Sequence, residues 1–264
     1  MTPSLELHSI HLRVHDLARS VDFYVRKLGF MIVEQTATRA LLTTTPGSAG
    51  ILTLSEDRSA PPAPRDAAGL FHAALLLPKR AELGQWLRRA ADVGVEFDGF
   101  SDHGVSEAIY LTDPDSNGLE FYADRPRDQW PQDATGELEM ITEPLVLPDL
   151  LAEAARSPAP NAVLEGARWG HLHLKVTNLD RSGKFYADAL GMTLMQRYGT
   201  SARFLAADGY HHHLGMNTWG RSRQPQPANA LGLVEAAFAK KGEAAEKVLR
   251  DPDGIAVRIE PLRR

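Results

Sequence analysis

The chain repeats itself. IHLRVHDLARSVDFYVRKLGF from Ile10 and LHLKVTNLDRSGKFYADALGM from Leu172 share His, Leu, Val, Leu, Arg-Ser, Phe-Tyr and Leu-Gly in register, at a constant offset of 162 residues. Agreement at so many ordered positions marks a duplication, and a duplicated chain folds as copies of one supersecondary unit. Each copy reads as a strand of alternating apolar residues, then a helix carrying Phe-Tyr on its apolar face, then a Leu-Gly helix end where glycine supplies the left-handed cap.

A second pair of segments opens with GLFHAALLLP at Gly69 and GLVEAAFAKK at Gly232, and closes with DPDSNGLEFY at Asp113 and DPDGIAVRIE at Asp251. The Asp-Pro and glycine residues favour a tight turn before a final strand. The last copy is 25 residues shorter than its counterpart between these landmarks, so it is eroded. The whole reads as an α+β chain of four modules of the type strand, helix, three strands, at about 5–57, 69–124, 168–219 and a truncated 230–262. Residues 125–167 form a long linker with a short helix expected over 150–156, and 61–66 and 221–230 are loops by composition.

Several chemistries are excluded at once. The chain has no cysteine, so disulfide scaffolds, thiolate zinc sites, thiol nucleophiles and iron–sulfur clusters are ruled out, and any metal must sit on His and carboxylate. A net charge of −5 argues against nucleic acid or an anionic membrane as partner. The apolar runs are too short to span a bilayer and no secretory signal is visible at the N-terminus, which gives a cytoplasmic expectation. A homo-oligomer is compatible with all of this.

On these repeats and turns the chain resembles the vicinal oxygen chelate superfamily, which includes glyoxalases, bleomycin-binding proteins and extradiol ring-cleaving dioxygenases. The resemblance implies that paired modules curl into cups of strands, with a metal held by residues from the first and last strands of modules. The first-strand position is Ser9, His72, His171 and Glu235 in modules one to four, and the last-strand carboxylate position is Glu120 in module two and Arg258 in module four. Only His72, Glu120 and His171 make a credible set, which requires modules two and three to share a cup while one and four form another. Two imidazoles and a carboxylate form the facial arrangement of non-haem Fe(II) oxygenases; Mn(II) and zinc accept the same ligands.

HGVSEAIYLTDPDSNGLEFY, from His103 to Tyr122, resembles the motif of type I extradiol dioxygenases. The resemblance assigns His103 and Tyr110 to hydrogen bonds with bound substrate, Asp113-Pro114 to the turn, and Glu120 to the metal. It also places a catalytic His, followed by any residue, an apolar residue and a small residue, on a late strand of module three, which matches His212 in GYHHHLGMNTW, residues 209–219. On a strand, His211 and His213 would face one way and His212 the other. Histidine suits the task, because a catechol must lose protons on binding and regain one later, and an unperturbed imidazole titrates near neutrality. His211 and His213 are expected to pack or hydrogen-bond, and His173, which shares a face with His171, to play a structural part like its counterpart His11.

The expectation is therefore an Fe(II)-dependent extradiol dioxygenase of the catechol 2,3-dioxygenase type, acting on a catechol and O2. Two other readings fit parts of the sequence. One is a glyoxalase-like isomerase or lyase with Zn, Ni or Mn on the same ligands. The other is a non-catalytic protein that holds a planar aromatic in its cup.

Overall fold

The computed structural model describes residues 3–134, 136–221 and 223–262. Module one runs β1 (Leu5–Val14), α1 (Leu17–Val21, continued by a π-helical segment Asp22–Leu28), β2 (Met31–Gln35), β3 (Arg39–Thr43) and β4 (Leu52–Glu56). Module two runs β5 (Gly69–Leu76), α2 (Arg80–Asp92), β6 (Gly99–Asp102), β7 (Ser106–Thr112) and β8 (Gly118–Asp124). Between the halves lie β9 (Glu143–Pro144) and α3 (Leu147–Arg156). Module three supplies β10 (Arg168–Lys175), α4 (Leu179–Leu190), β11 (Thr193–Tyr198), β12 (Ala202–Ala206) and β13 (Leu214–Asn217). The eroded module keeps β14 (Gly232–Lys240), β15 (Lys247–Arg250) and β16 (Ala256–Pro261), joined by a turn where its counterpart has a helix and a further strand.

The repeated motifs have repeated structural jobs. Asp16 and Asn178 cap α1 and α4 by accepting the backbone N–H of Arg19 and Arg181, each at 2.9 Å. The Leu-Gly ends close on Gly29 and Gly191 in the left-handed conformation, at φ 101° and 74°. The tyrosine of each Phe-Tyr pair crosses to the Asp-Pro turn of the following module: Tyr24 donates to Asp113 at 3.0 Å and Tyr186 to Asp251 at 2.9 Å, all four buried. The tyrosine and the first aspartate of the turn are thus two ends of one buried hydrogen bond, present twice.

The strands pair across the duplication. One mixed sheet has the order β15-β16-β14-β1-β4-β3-β2, from modules one and four. The other is β11-β12-β13-β10-β5-β8-β7-β6-β9, from modules three and two, with the linker strand β9 on its edge. Antiparallel pairing of β10 with β5 joins the two modules of this second sheet, which curls into a half-barrel. One apolar cluster spans both sheets, including Leu12 and Leu54 from the first and Leu75 and Leu174 from the second. Trp169 bridges them, donating its indole N–H to Ile51 O at 2.7 Å. Trp86 on α2 stacks on Phe121 with ring centroids 3.7 Å apart and donates to Leu28 O at 3.0 Å; truncating a buried ring of this kind costs about 3–5 kcal/mol. Among the described residues no helix is long and apolar enough to cross a membrane.

Candidate metal centre

Strand register assembles the site. Tyr110 on β7 is opposite Glu120 on β8, Glu120 is level with Ala74 on β5, and Ala74 is opposite His171 on β10. His72 lies two residues before Ala74, on the same face, and opposite His173. One face of four adjacent strands therefore gathers His72, Tyr110, Glu120, His171 and His173. Gly118 permits the close approach of β8 to β5, since a Cβ there would stand 2.1 Å from the backbone oxygen of Phe71.

His72, Glu120 and His171 are all buried, and their ligand atoms lie within 4.8 Å of one another. His72 Nε2 is 2.9 Å and His171 Nε2 3.2 Å from the same oxygen, Glu120 Oε2. Burial pushes the Glu120 carboxyl up, but the imidazoles of His171 and His72 outweigh it and hold the group well below the usual carboxylate range. Burial lowers His171, against the pull of Glu120, which keeps its ring lone pair available. The set is one anionic oxygen and two imidazole nitrogens converging on one point, with no Lys or Arg among the described lining residues to balance the charge. A divalent cation fits this donor set.

The trio sits in the wall of a cavity of about 510 Å³ that His103, Tyr110 and His212 also line. His103 Nδ1 lies 2.8 Å from Ile141 O, a carbonyl that can only accept, so this nitrogen carries the hydrogen. Its other nitrogen, 2.8 Å from the Tyr110 hydroxyl, is then the acceptor, and Tyr110 donates to it while His103 is neutral. Burial and then the Glu120 charge raise Tyr110 well above the ordinary phenol range, so it stays protonated.

The histidine triplet departs from the expected strand. Residues 211–213 form a bend before β13, because Asp208 and Gly209 take positive φ (55° and 64°) and turn the chain back to β12. Alternation therefore does not separate the three rings; their partners do. His212 lines the cavity with its ring centroid 4.0 Å from that of His171, and burial, followed by the neighbouring histidines His171 and His211, pushes it well below the ordinary imidazole range. His211 turns toward Asp124, and His213 accepts the backbone N–H of Ala207 at 3.2 Å. His173 lines the cavity wall and pairs with Asn217 Nδ2 at 3.0 Å.

Part of the lining has no sequence signal of this kind. Phe71 is skipped in the β5–β10 ladder, where His72 pairs with His173 and Leu70 with Leu174, and this bulge brings it against His72, His173 and Trp219. Strict alternation would put Phe71 on the face opposite His72. Met140, Ile141 and Thr142 come from the linker, which β9 ties to β6. The corresponding positions of the other cup hold no ligand set: Arg258 Nε lies 3.0 Å from Glu235, and His11 pairs with Ser55 at 2.8 Å.

Residues 6–121 and 168–240 match the model of the Glyoxalase/Bleomycin resistance protein/Dioxygenase superfamily. The chain belongs to this superfamily. It is 43% identical over 228 residues to a catechol-2,3-dioxygenase of Bacillus subtilis (strain 168), covering 84% of this chain and 78% of that one. Among solved structures it is similar to a Bacillus subtilis subsp. subtilis str. 168 protein provisionally described as a dioxygenase, with TM-score 0.66, 14% identity, and coverage of 100% of this chain and 87% of the other. It is also similar to glyoxalase I from Zea mays, with TM-score 0.58, 17% identity, and 98% and 93% coverage. At those identities the structural likenesses speak for the fold alone.

Proposed function

We propose that this protein is an extradiol dioxygenase that opens the ring of a catechol beside its two hydroxyl groups, with Fe(II) held by His72, His171 and Glu120. The observation that carries the reading is the convergence of two imidazole nitrogens and one carboxylate oxygen on the wall of a large cavity, in a chain 43% identical to a catechol-2,3-dioxygenase. When bound, the metal acidifies catechol hydroxyls and brings the two reactants side by side.

The other chemistry falls to this chain's side chains. His212, neutral in its buried setting, accepts a hydroxyl proton from the entering catechol and is then the protonated group at the cavity wall that returns it. Tyr110, whose own proton is committed to His103, offers its oxygen to the substrate and holds the ring in register with Glu120. Phe71 and Trp219, with ring centroids 5.5 Å apart, give the substrate an apolar wall. Both atoms of O2 enter the product, a muconic semialdehyde, so no external reductant is required.

The test is anaerobic loading with Fe(II), then catechol, then air. Uptake of O2 with a yellow ring-opened product supports the reading, and H212A and E120A should each abolish it. Full ring cleavage by both variants with iron bound would refute it. A glyoxalase-like isomerase would take up no O2 and would not need His212.

A further inference from the structure

His211 has no part in the chemistry above, yet it touches the residue that does. Its side chain is fully buried and both ring nitrogens are engaged. Nε2 lies 2.9 Å from Asp124 Oδ1, at the end of β8, and Nδ1 lies 2.7 Å from Nδ1 of His212. The same Asp124 oxygen accepts the Tyr210 hydroxyl at 3.1 Å, and the Tyr210 hydroxyl is 2.8 Å from that of Tyr122. Two segments that the sequence keeps apart, β8 and the bend before β13, thus meet behind His212.

The hydrogens along this chain follow from the acceptor at its end. An ionised carboxylate can only accept, so His211 Nε2 carries the hydrogen. While His211 is neutral it has one N–H, so its Nδ1 is left as a lone pair. At 2.7 Å from a second ring nitrogen, that lone pair requires an N–H opposite it, because two lone pairs so close would repel. The hydrogen of neutral His212 is therefore on Nδ1, and its Nε2 is the free acceptor.

We propose that Asp124 and His211 are positioning residues that fix His212 in the Nδ1–H tautomer, so that Nε2 meets the catechol hydroxyl as a proton acceptor. The arrangement extends by one imidazole the general device in which a carboxylate selects the tautomer of a catalytic histidine. Once His212 is protonated, its Nδ1–H still donates to His211, so the linkage holds the ring through both protonation states. The proposal rests on the reading of His212 as the proton acceptor, but the tautomer itself can be read without turnover.

The experiment uses the full-length protein labelled with 15N in histidine, free of metal. Long-range 1H–15N spectra, assigned with H212A, should show His212 with a protonated Nδ1 and a bare Nε2. In H211F, which removes the acceptor, that signature should shift to Nε2–H or to an average of the two. In H211N, whose Oδ1 can stand near the position of Nδ1, it should return. With iron restored, H211F should lower kcat about tenfold or more, with KM for catechol changed less than about threefold, and H211N should recover most of the loss. A wild-type spectrum with His212 as Nε2–H would overturn the proposal whether or not the variants fold, as would H211F with an unaltered spectrum and kcat. If the spectra behave as expected but H212A still cleaves catechol, the assignment of the proton acceptor falls and the tautomer assignment stands.

Discussion

Replacing His213 by asparagine should change how this fold responds to acid. In the native protein Nδ1 of His213 accepts the backbone N–H of Ala207 at 3.2 Å, which it can do only while that nitrogen is unprotonated. Burial, followed by the histidine at 211 and by Arg168, pushes this imidazole from 6.5 to about 3. In the unfolded chain the ring returns to about 6.5. Between those values the unfolded state binds a proton that the native state refuses, so the contribution is intact above about pH 6.5 and is lost as pH falls toward 3. At about pH 5 the unfolded state gains about 2 kcal/mol, from about 1.5 pH units at ~1.36 kcal/mol each. Asparagine keeps an acceptor for Ala207 and does not titrate. Urea unfolding of metal-free wild type and H213N at about pH 7.5 and about pH 5 should therefore show a fall in stability about 2 kcal/mol smaller in the variant, with m unchanged. Buried histidines that do not act on His213 contribute equally to both proteins and cancel in the difference. Equal pH dependence in the two proteins would refute the reasoning, as would a steeper fall in H213N.

E120A should lose tight metal binding, leaving less than about a tenth of an equivalent of iron after gel filtration by elemental analysis, because it removes the anionic ligand and leaves two neutral imidazoles. Y110F should keep its iron and lower kcat/KM for catechol about 2-fold to 10-fold, the range expected for losing one neutral hydrogen bond, read from steady-state O2 uptake. The described cavity lining holds no Lys or Arg, so catechols bearing a carboxylate should be turned over less efficiently than alkyl-substituted ones at equal ring electronics, with the difference falling mainly in KM.

The sequence made the ligands legible because they ride on the duplicated strands. His72 and His171 occupy equivalent first-strand positions, Glu120 follows an Asp-Pro turn, and strand register brings them together. The supports of the site were illegible for equally physical reasons. Phe71 reaches the cavity only through a one-residue bulge, which no period-two pattern encodes. His103 takes its tautomer from Ile141 O, a backbone atom of the linker, where side-chain identity carries no information. The strand expected at 211–213 is displaced by a turn at Asp208-Gly209, a sequence better suited to positive φ than to extension.

The two cups show what happens when such a site is left without a metal ligand set. In the sheet of modules one and four, the position equivalent to Glu120 is Arg258, which is within salt-bridge distance of Glu235, Glu246 and Glu260. The guanidinium is itself the cation among these carboxylates, so the position that would donate an anionic metal ligand carries a positive charge instead. His11, the counterpart of His173, is pushed to about 4 by burial, then by Arg39 and Arg13, and pairs with Ser55 at 2.8 Å. In the other cup the buried Glu120 is paired with two imidazoles, and no Lys or Arg lines the cavity among the described residues. The same fold position thus carries a cation of its own in one half, while in the other it leaves an anion whose balance calls for one from outside.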